Sequence, residues 1–184
     1  KTLLKNGGQA SDDGWIWGNA PKEHFATEYG HQFDIDWEQG QKTGFFLDQR
    51  ENRSLLGTLS QGKKVLNVFS YTGGFSIYAL KAGATEVHSL DSSQRALEVC
   101  EKNVRLNGLS EDCHKSIRAD ALEYLKTDTL GEYDIVVLDP PAFAKRASAR
   151  HAAIQGYKRI NLRALQGMKS GSLLFTFSCS QAVD

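Results

Sequence analysis

At 184 residues, with 40% apolar and 24% charged residues and a net charge of zero, the chain is long enough for one domain with its own core. No run approaches the roughly 20 apolar residues of a membrane span, and no signal-peptide core opens the sequence. Three widely spaced cysteines argue against a disulfide framework and for a reducing cytoplasm, and no Cys/His cluster has zinc spacing. The charge is unevenly spread. From Pro140 to Val183 there are seven basic residues and no acid, which leaves fifteen basic and twenty-two acidic residues, a net of −7, elsewhere. That stretch reads either as a surface facing a polyanion or as a solvated helix face.

In chain order, residues 1–23 are rich in Gly, Asn, Asp and Ser and read as irregular. Residues 24–37 read as a hairpin around Gly30-His31, with Phe33, Ile35 and Trp37 on one buried face. Asp48 is the expected cap of a charged helix carrying Leu55, Leu56 and Leu59 and ended by Gly62. Val65 to Phe69 is an apolar strand, followed by Ser70-Tyr71-Thr72-Gly73-Gly74 and a helix from Phe75. A strand, a glycine turn and a helix open a nucleotide-binding α/β unit, in which the missing Cβ admits a ligand close to the backbone. Strand–helix alternation continues: Glu86–Leu90, a Ser93-capped helix stopped by Asn107-Gly108, Cys113–Arg118, a short helix after Asp120, Tyr133–Leu138, a helix over Tyr157–Met168, and Ser172–Ser178. Five such strands predict an α/β, doubly wound, mostly parallel sheet. Two units are expected, an irregular segment with a hairpin (1–41) and the sheet domain (42–184). The loop-like Gln181–Asp184 and the start at Lys1 read as the limits of a fragment.

Ligands of such sheets bind outside the carboxyl ends of the strands. Those ends carry Ser70–Gly74, Asp91, Asp120, Asp139 and Cys179. Asp91 is placed to accept from ribose hydroxyls, a role favoured over an ordinary helix cap. Asp120 is placed to accept from an adenine amino group with the Ala121 amide donating to the same base, although Asp120 also suits a cap of the next helix. Neither G-x-G-x-x-G nor a P-loop occurs, so an adenosine with a compact tail, S-adenosylmethionine, fits better than a dinucleotide or a triphosphate. Asp139-Pro140-Pro141-Ala142-Phe143 stiffens a loop from which Asp139 can accept from a cytosine amino group and Phe143 can stack on a base. Cys100 lies on an apolar helix face and reads as core. Cys179 sits among serines at the crevice, where a thiolate could add to carbon 6 of a pyrimidine and make carbon 5 nucleophilic.

The segments 42–53, 68–75, 139–143, 156–161 and 177–180 together resemble the S-adenosylmethionine-dependent 23S rRNA methyltransferases of the cytosine-carbon-5 type, over roughly residues 24–184. The resemblance implies a class I (Rossmann-like) methyltransferase core. The cofactor contacts it implies are Gln49, Arg50, Arg53, Phe69, Ser70, Tyr71, Thr72, Gly73, Asp91, Ser92, Asp120, Ala121 and Asp139. It also implies catalysis by Cys179 with Asp139, and an RNA contact formed by Pro140, Pro141, Phe143, Lys145, Arg146, Tyr157 and Lys158, with Arg150 and Arg159 on phosphates. The implied partner is 23S rRNA, with homodimerisation left open. Family members carry an N-terminal PUA-type domain and further C-terminal strands that this sequence lacks, and other RNA cytosine methyltransferases carry a second cysteine in the fourth-strand loop. The alternatives are methylation of a guanine nitrogen on the same fold, a non-catalytic RNA- or nucleotide-binding module, and an NAD-type dehydrogenase.

Overall fold

The computed structural model describes residues 25–35, 44–144 and 147–180. The expectations for residues 1–24, for Trp37 and for Lys145 and Arg146 lie outside them. Strands β1 (Phe25–Glu28) and β2 (His31–Asp34) form the hairpin. Its two-residue turn, Tyr29-Gly30, has φ of +48° and +78°. Two left-handed residues are what the twist of a tight hairpin requires. Helix α1 (Arg50–Leu59) follows, then β3 (Lys64–Val68), α2 (Gly74–Lys81), β4 (Glu86–Asp91), α3 (Gln94–Leu106), β5 (His114–Arg118), α4 (Ala121–Tyr124), β6 (Ile135–Leu138), α5 (Arg150–Gly167) and β7 (Leu173–Thr176).

The five strands β3–β7 form one parallel sheet in the order β5-β4-β3-β6-β7. The chain therefore winds outward from β3 to one edge and then returns to β3's other side, leaving a switch point between β3 and β6. Both faces are covered. The hairpin, α1, α2 and α3 pack on one, around Phe33, Leu56, Val65, Ile77 and Val104. Helices α4 and α5 pack on the other, around Leu66, Val136, Leu138 and Ile160. Helix α2 is apolar nearly all round and buried from Phe75 to Leu80, as a helix between sheet and neighbours must be.

Three local expectations change. Asp48 does not cap α1: it lies in a 3-10 turn (Leu47–Gln49), and the cap position falls to Gln49, whose side chain makes no capping bond. Of the three α1 leucines only Leu56 is buried, while Leu55 and Leu59 are exposed and the buried partner on that face is Arg53. Helix α5 starts seven residues before Tyr157, at Arg150, behind a 3-10 turn and without a side-chain cap, so no capping signal announces it.

The hairpin is held by two polar clamps. Arg53, 2% exposed, donates through Nε and Nη2 to the two carboxylate oxygens of Glu28 (2.9 and 2.8 Å) and through Nη1 to the Phe46 carbonyl (2.9 Å). The Tyr78 hydroxyl donates to the same Glu28 carboxylate at 3.0 Å. Burial, and then that acid, push the Tyr78 hydroxyl pKa well above its ordinary value. The second clamp comes from α3 and the residue that caps its C-terminus. Asn107 accepts from the Gln32 amide (2.9 Å) and donates to its carbonyl (2.7 Å), while Asn103 accepts from the Asp34 amide (2.7 Å). Four residues along a helix rise about 6 Å and two along a strand about 6.6 Å, so the two side-chain amides match the strand repeat.

Candidate active site

Register brings the expected strand ends into one row. The Ser70 amide donates to the Leu90 carbonyl (2.9 Å), the Ala119 amide to Asp91 (3.2 Å), the Asp139 amide to Val68 (3.5 Å) and the Phe177 amide to Leu138 (3.0 Å). Ser70, Asp91, Asp120, Asp139 and Cys179 therefore stand at the same edge of the sheet.

The turn after β3 is more unusual than its sequence suggests. Phe69 (φ +61°), Tyr71 (φ +48°) and Gly73 (φ +83°) alternate in the left-handed region. For the two aromatic residues this costs on the order of 1–3 kcal/mol each and persists only because the surroundings impose it. They do so through the backbone: Asp91 accepts from the Tyr71 amide through Oδ2 and from the Ser93 amide through Oδ1, both at 2.9 Å. The Asn103 amide group donates to the Thr72 carbonyl at 2.9 Å. Sequence reasoning missed Asn103. The available signal was an amide in the middle of the apolar stripe of α3, where it is fully buried.

Glycine at position 73 serves packing as well as conformation. A Cβ there would lie 2.3 Å from the Cys100 sulfur, so the turn approaches α3 as closely as a backbone can. A Cβ at Gly74 would press on the buried stem of Arg53 at 3.2 Å. The close approach expected toward a ligand is thus, at these two residues, an approach to the protein's own core. Cys100 is inert, because burial pushes its thiol up to about 12.

The turn fits an adenosine-type ligand. Ser70 Oγ is buried and has no hydrogen-bond partner among the described residues, so a polar atom is held at the crevice with capacity to spare. Asp91 is half-buried, and Asp120 is exposed at the end of β5, where its Oδ1 also caps α4 by accepting from the Glu123 amide (3.0 Å). Ala121 is buried in the first turn of α4, and Ser92 is exposed beside Asp91.

Across the switch point, Asp139 meets two groups from different elements. Gln49 Nε2 donates to Asp139 Oδ1 at 3.3 Å, and Cys179 Sγ lies 3.8 Å from the same oxygen. Cys179 is exposed, unlike Cys100. Pro140 is buried and Pro141 exposed. Phe143 is half-buried rather than laid open for a base. Its ring packs on Tyr157 (centroids 4.6 Å apart) and over Gly156, where a Cβ would meet it at 2.9 Å. Tyr157 is buried, and its hydroxyl bonds Ser180 Oγ (2.9 Å), which accepts from the Ala144 amide (3.2 Å). Lys158, Arg159 and Arg150 are exposed on α5. At the start of α1, the cap-position residue Gln49 is buried at Asp139, Arg50 is exposed against Glu51, and Arg53 is paired with Glu28 and so holds the fold.

A parallel sheet of this order, with acids at successive strand ends and a strained turn after its central strand, defines a Rossmann-like methyltransferase domain. The comparisons agree. A family model described as S-adenosylmethionine-dependent methyltransferase matches residues 6–183. The chain is 42% identical over 182 residues to the ribosomal RNA large subunit methyltransferase I of Aeromonas hydrophila, covering 97% of this chain and 46% of that protein. It is 46% identical over 158 residues to a ribosomal RNA large subunit methyltransferase of Deinococcus radiodurans, covering 85% and 39%. Among solved structures, a protein of Streptococcus mutans assigned as a SAM-dependent methyltransferase superposes with a TM-score of 0.71 at 29% identity, covering 86% of this chain and 42% of that one. A methyltransferase structure complexed with SAH matches with the same score and identity. The SAM-dependent methyltransferase of Agrobacterium tumefaciens, at 24% identity and a TM-score of 0.74, covers 89% and 55% and attests the fold. The chain belongs to the S-adenosylmethionine-dependent methyltransferase family. It spans about half the length of the curated relatives it matches.

Proposed function

We propose that this chain is the catalytic part of an enzyme that methylates carbon 5 of a cytosine in 23S rRNA, with Cys179 as the nucleophile. S-adenosylmethionine, when bound, supplies an electrophilic methyl group. Ser70, Tyr71, Thr72 and Gly73, with the backbone of Phe69, would hold it together with Asp91 and Ser92 at the ribose and Asp120 and Ala121 at the adenine. On the facing strand ends, the Cys179 thiolate adds to carbon 6 of the pyrimidine, which makes carbon 5 electron-rich enough to take the methyl group. Loss of the carbon-5 proton to a base then expels the thiolate and restores the aromatic ring. Asp139 would accept from the exocyclic amino group and so orient the base. Pro141 and the exposed cations Arg150, Lys158 and Arg159 would meet the RNA backbone of a nucleotide splayed into the crevice.

The observation that carries this reading is the exposed Cys179 sulfur, 3.8 Å from Asp139 Oδ1 at the adjacent strand end. The names of the relatives, ribosomal RNA large subunit methyltransferases, support the substrate class. The full-length protein with Cys179→Ala is expected to bind S-adenosylmethionine with unchanged affinity and to transfer no methyl group to unmodified 23S rRNA. Mass analysis of the nucleosides made by the wild type should give 5-methylcytosine. A methylated guanine, or a Cys179→Ala variant as fast as wild type, would replace this reading with base-nitrogen chemistry.

A further inference from the structure

Gln49 stands at the cap position of α1 yet does not cap it; the residue is 7% exposed and its side chain reaches across to the end of β6. Its two amide atoms are both engaged. Nε2 faces Asp139 Oδ1 at 3.3 Å, and Oε1 lies 2.7 Å from Nδ2 of Asn52, one helical turn on. The chemistry of the partners fixes the direction of this chain. An ionised carboxylate only accepts, so Gln49 must present its NH2 to Asp139. Its carbonyl is thereby left facing Asn52, and Asn52 must present an NH2 in turn. Asp139 Oδ1 is also the oxygen that Cys179 Sγ approaches.

We infer that Asn52 and Gln49 are positioning residues: Asn52 sets the orientation of the Gln49 amide, and the amide holds the Asp139 carboxylate in the rotamer that serves the base and Cys179. This deepens the reading of Asp139 and Cys179 given above and rests on it. Gln49 touches the reacting groups only through Asp139, and Asn52 only through Gln49. Any aspartate can accept from an amide; the distinctive feature is the imposed polarity, set by a residue on a different element from either acidic or thiol group.

That polarity makes a test in which stability and activity part company. Asn52 is the third residue of α1, where a negative charge favours the helix dipole. Asn52→Asp should therefore leave the melting temperature at or above wild type. It also replaces the donor with a pure acceptor, so the Gln49 amide turns its NH2 to residue 52 and its carbonyl toward Asp139. Asn52→Ala removes the donor without imposing that flip. In single-turnover transfer by the full-length protein to unmodified 23S rRNA transcribed in vitro, Asn52→Asp should be about tenfold or more slower than wild type, in the range of a lost hydrogen bond to a charged group. Asn52→Ala should fall between the two. The inference is overturned if Asn52→Asp transfers as fast as Asn52→Ala, or if its loss is matched by a fall in melting temperature. Should both Asn52 variants keep the wild-type rate while Cys179→Ala is dead, the positioning role fails and the nucleophile stands. A fully active Cys179→Ala removes the ground beneath both.

Discussion

The two halves of the crevice are built differently. On the side of β3, β4 and β5, the turn over residues 69–73 is held by the buried Leu90, Asn103 and Cys100, through a carbonyl, an amide and a sulfur, and by the half-buried Asp91 carboxylate. On the side of β6 and β7, among the described residues, the loop after Asp139 is tied by the junction of the Tyr157 hydroxyl, Ser180 Oγ and the Ala144 amide and by the packing of Phe143 on Tyr157, while Pro141 and Cys179 are exposed. The first half is a preformed cradle, suited to a small ligand whose shape does not vary. The second is an open face, suited to a macromolecule that must bring its own surface. This asymmetry is what the proposed joining of a compact donor to a large acceptor would use.

The contrast can be broken experimentally. The largest effect is expected beneath the cradle, at the Glu28–Arg53 pair. Glu28→Ala leaves a buried guanidinium without its acid and should destabilise the fold by about 3–5 kcal/mol, read from urea midpoints. Replacing both partners together, Glu28→Leu with Arg53→Met, should recover most of that loss. A double variant as unstable as the single one would show that the charges themselves, rather than one stranded charge, are needed.

A smaller effect is expected from pH. His114 on β5 bonds Ser89 Oγ (2.8 Å) and lies 3.6 Å from the Cys100 sulfur; its pKa is pulled down from 6.5 to about 4, chiefly by burial. Between those values the unfolded chain binds a proton that the native chain does not. Stability contributed by the neutral imidazole is therefore complete above the unfolded pKa and is lost as pH falls toward the folded one, by up to about 3 kcal/mol. His114→Gln should flatten that slope. An unchanged slope would assign the acid sensitivity to other groups.

The smallest effect is expected on the open side. Tyr157→Phe removes the hydroxyl bond to Ser180 and should cost about 1 kcal/mol. If it cost as much as Glu28→Ala, the two halves would be equally committed and the contrast between them would vanish.

Much of this was legible in the sequence because it depends on local pattern. The apolar runs around Val65–Val68 and Ile135–Leu138, the Ser93 cap and the Asn107-Gly108 stop each name their element, and the order of those elements fixes the sheet. The row of strand-end residues followed from that order alone. What escaped depends on distant partners. Nothing near Phe69 or Tyr71 announces a left-handed backbone, because the amide partner of Tyr71 lies twenty residues away, at Asp91. Arg53 reads as one charge of a charged helix and, by resemblance, as a cofactor contact; nothing near it announces that Glu28 is brought to it from the hairpin. Phe143 reads as a stacking platform until Gly156 gives its ring a place to lie. Burial of a charge, or use of an aromatic ring, is decided by the neighbour and not by the residue.

The asparagine clamp on β2 has a consequence for association. A short hairpin offers a row of backbone donors and acceptors that another chain can read as an invitation to extend the ladder. Here Asn103 and Asn107 counterfeit that next strand, occupying the Gln32 and Asp34 amides and the Gln32 carbonyl with side chains that have no further edge of their own. Among the described residues, pairing on that flank is terminated by these side chains and not by a further strand. Two side-chain amides, one on α3 and one at its C-cap, thereby close that flank of the hairpin.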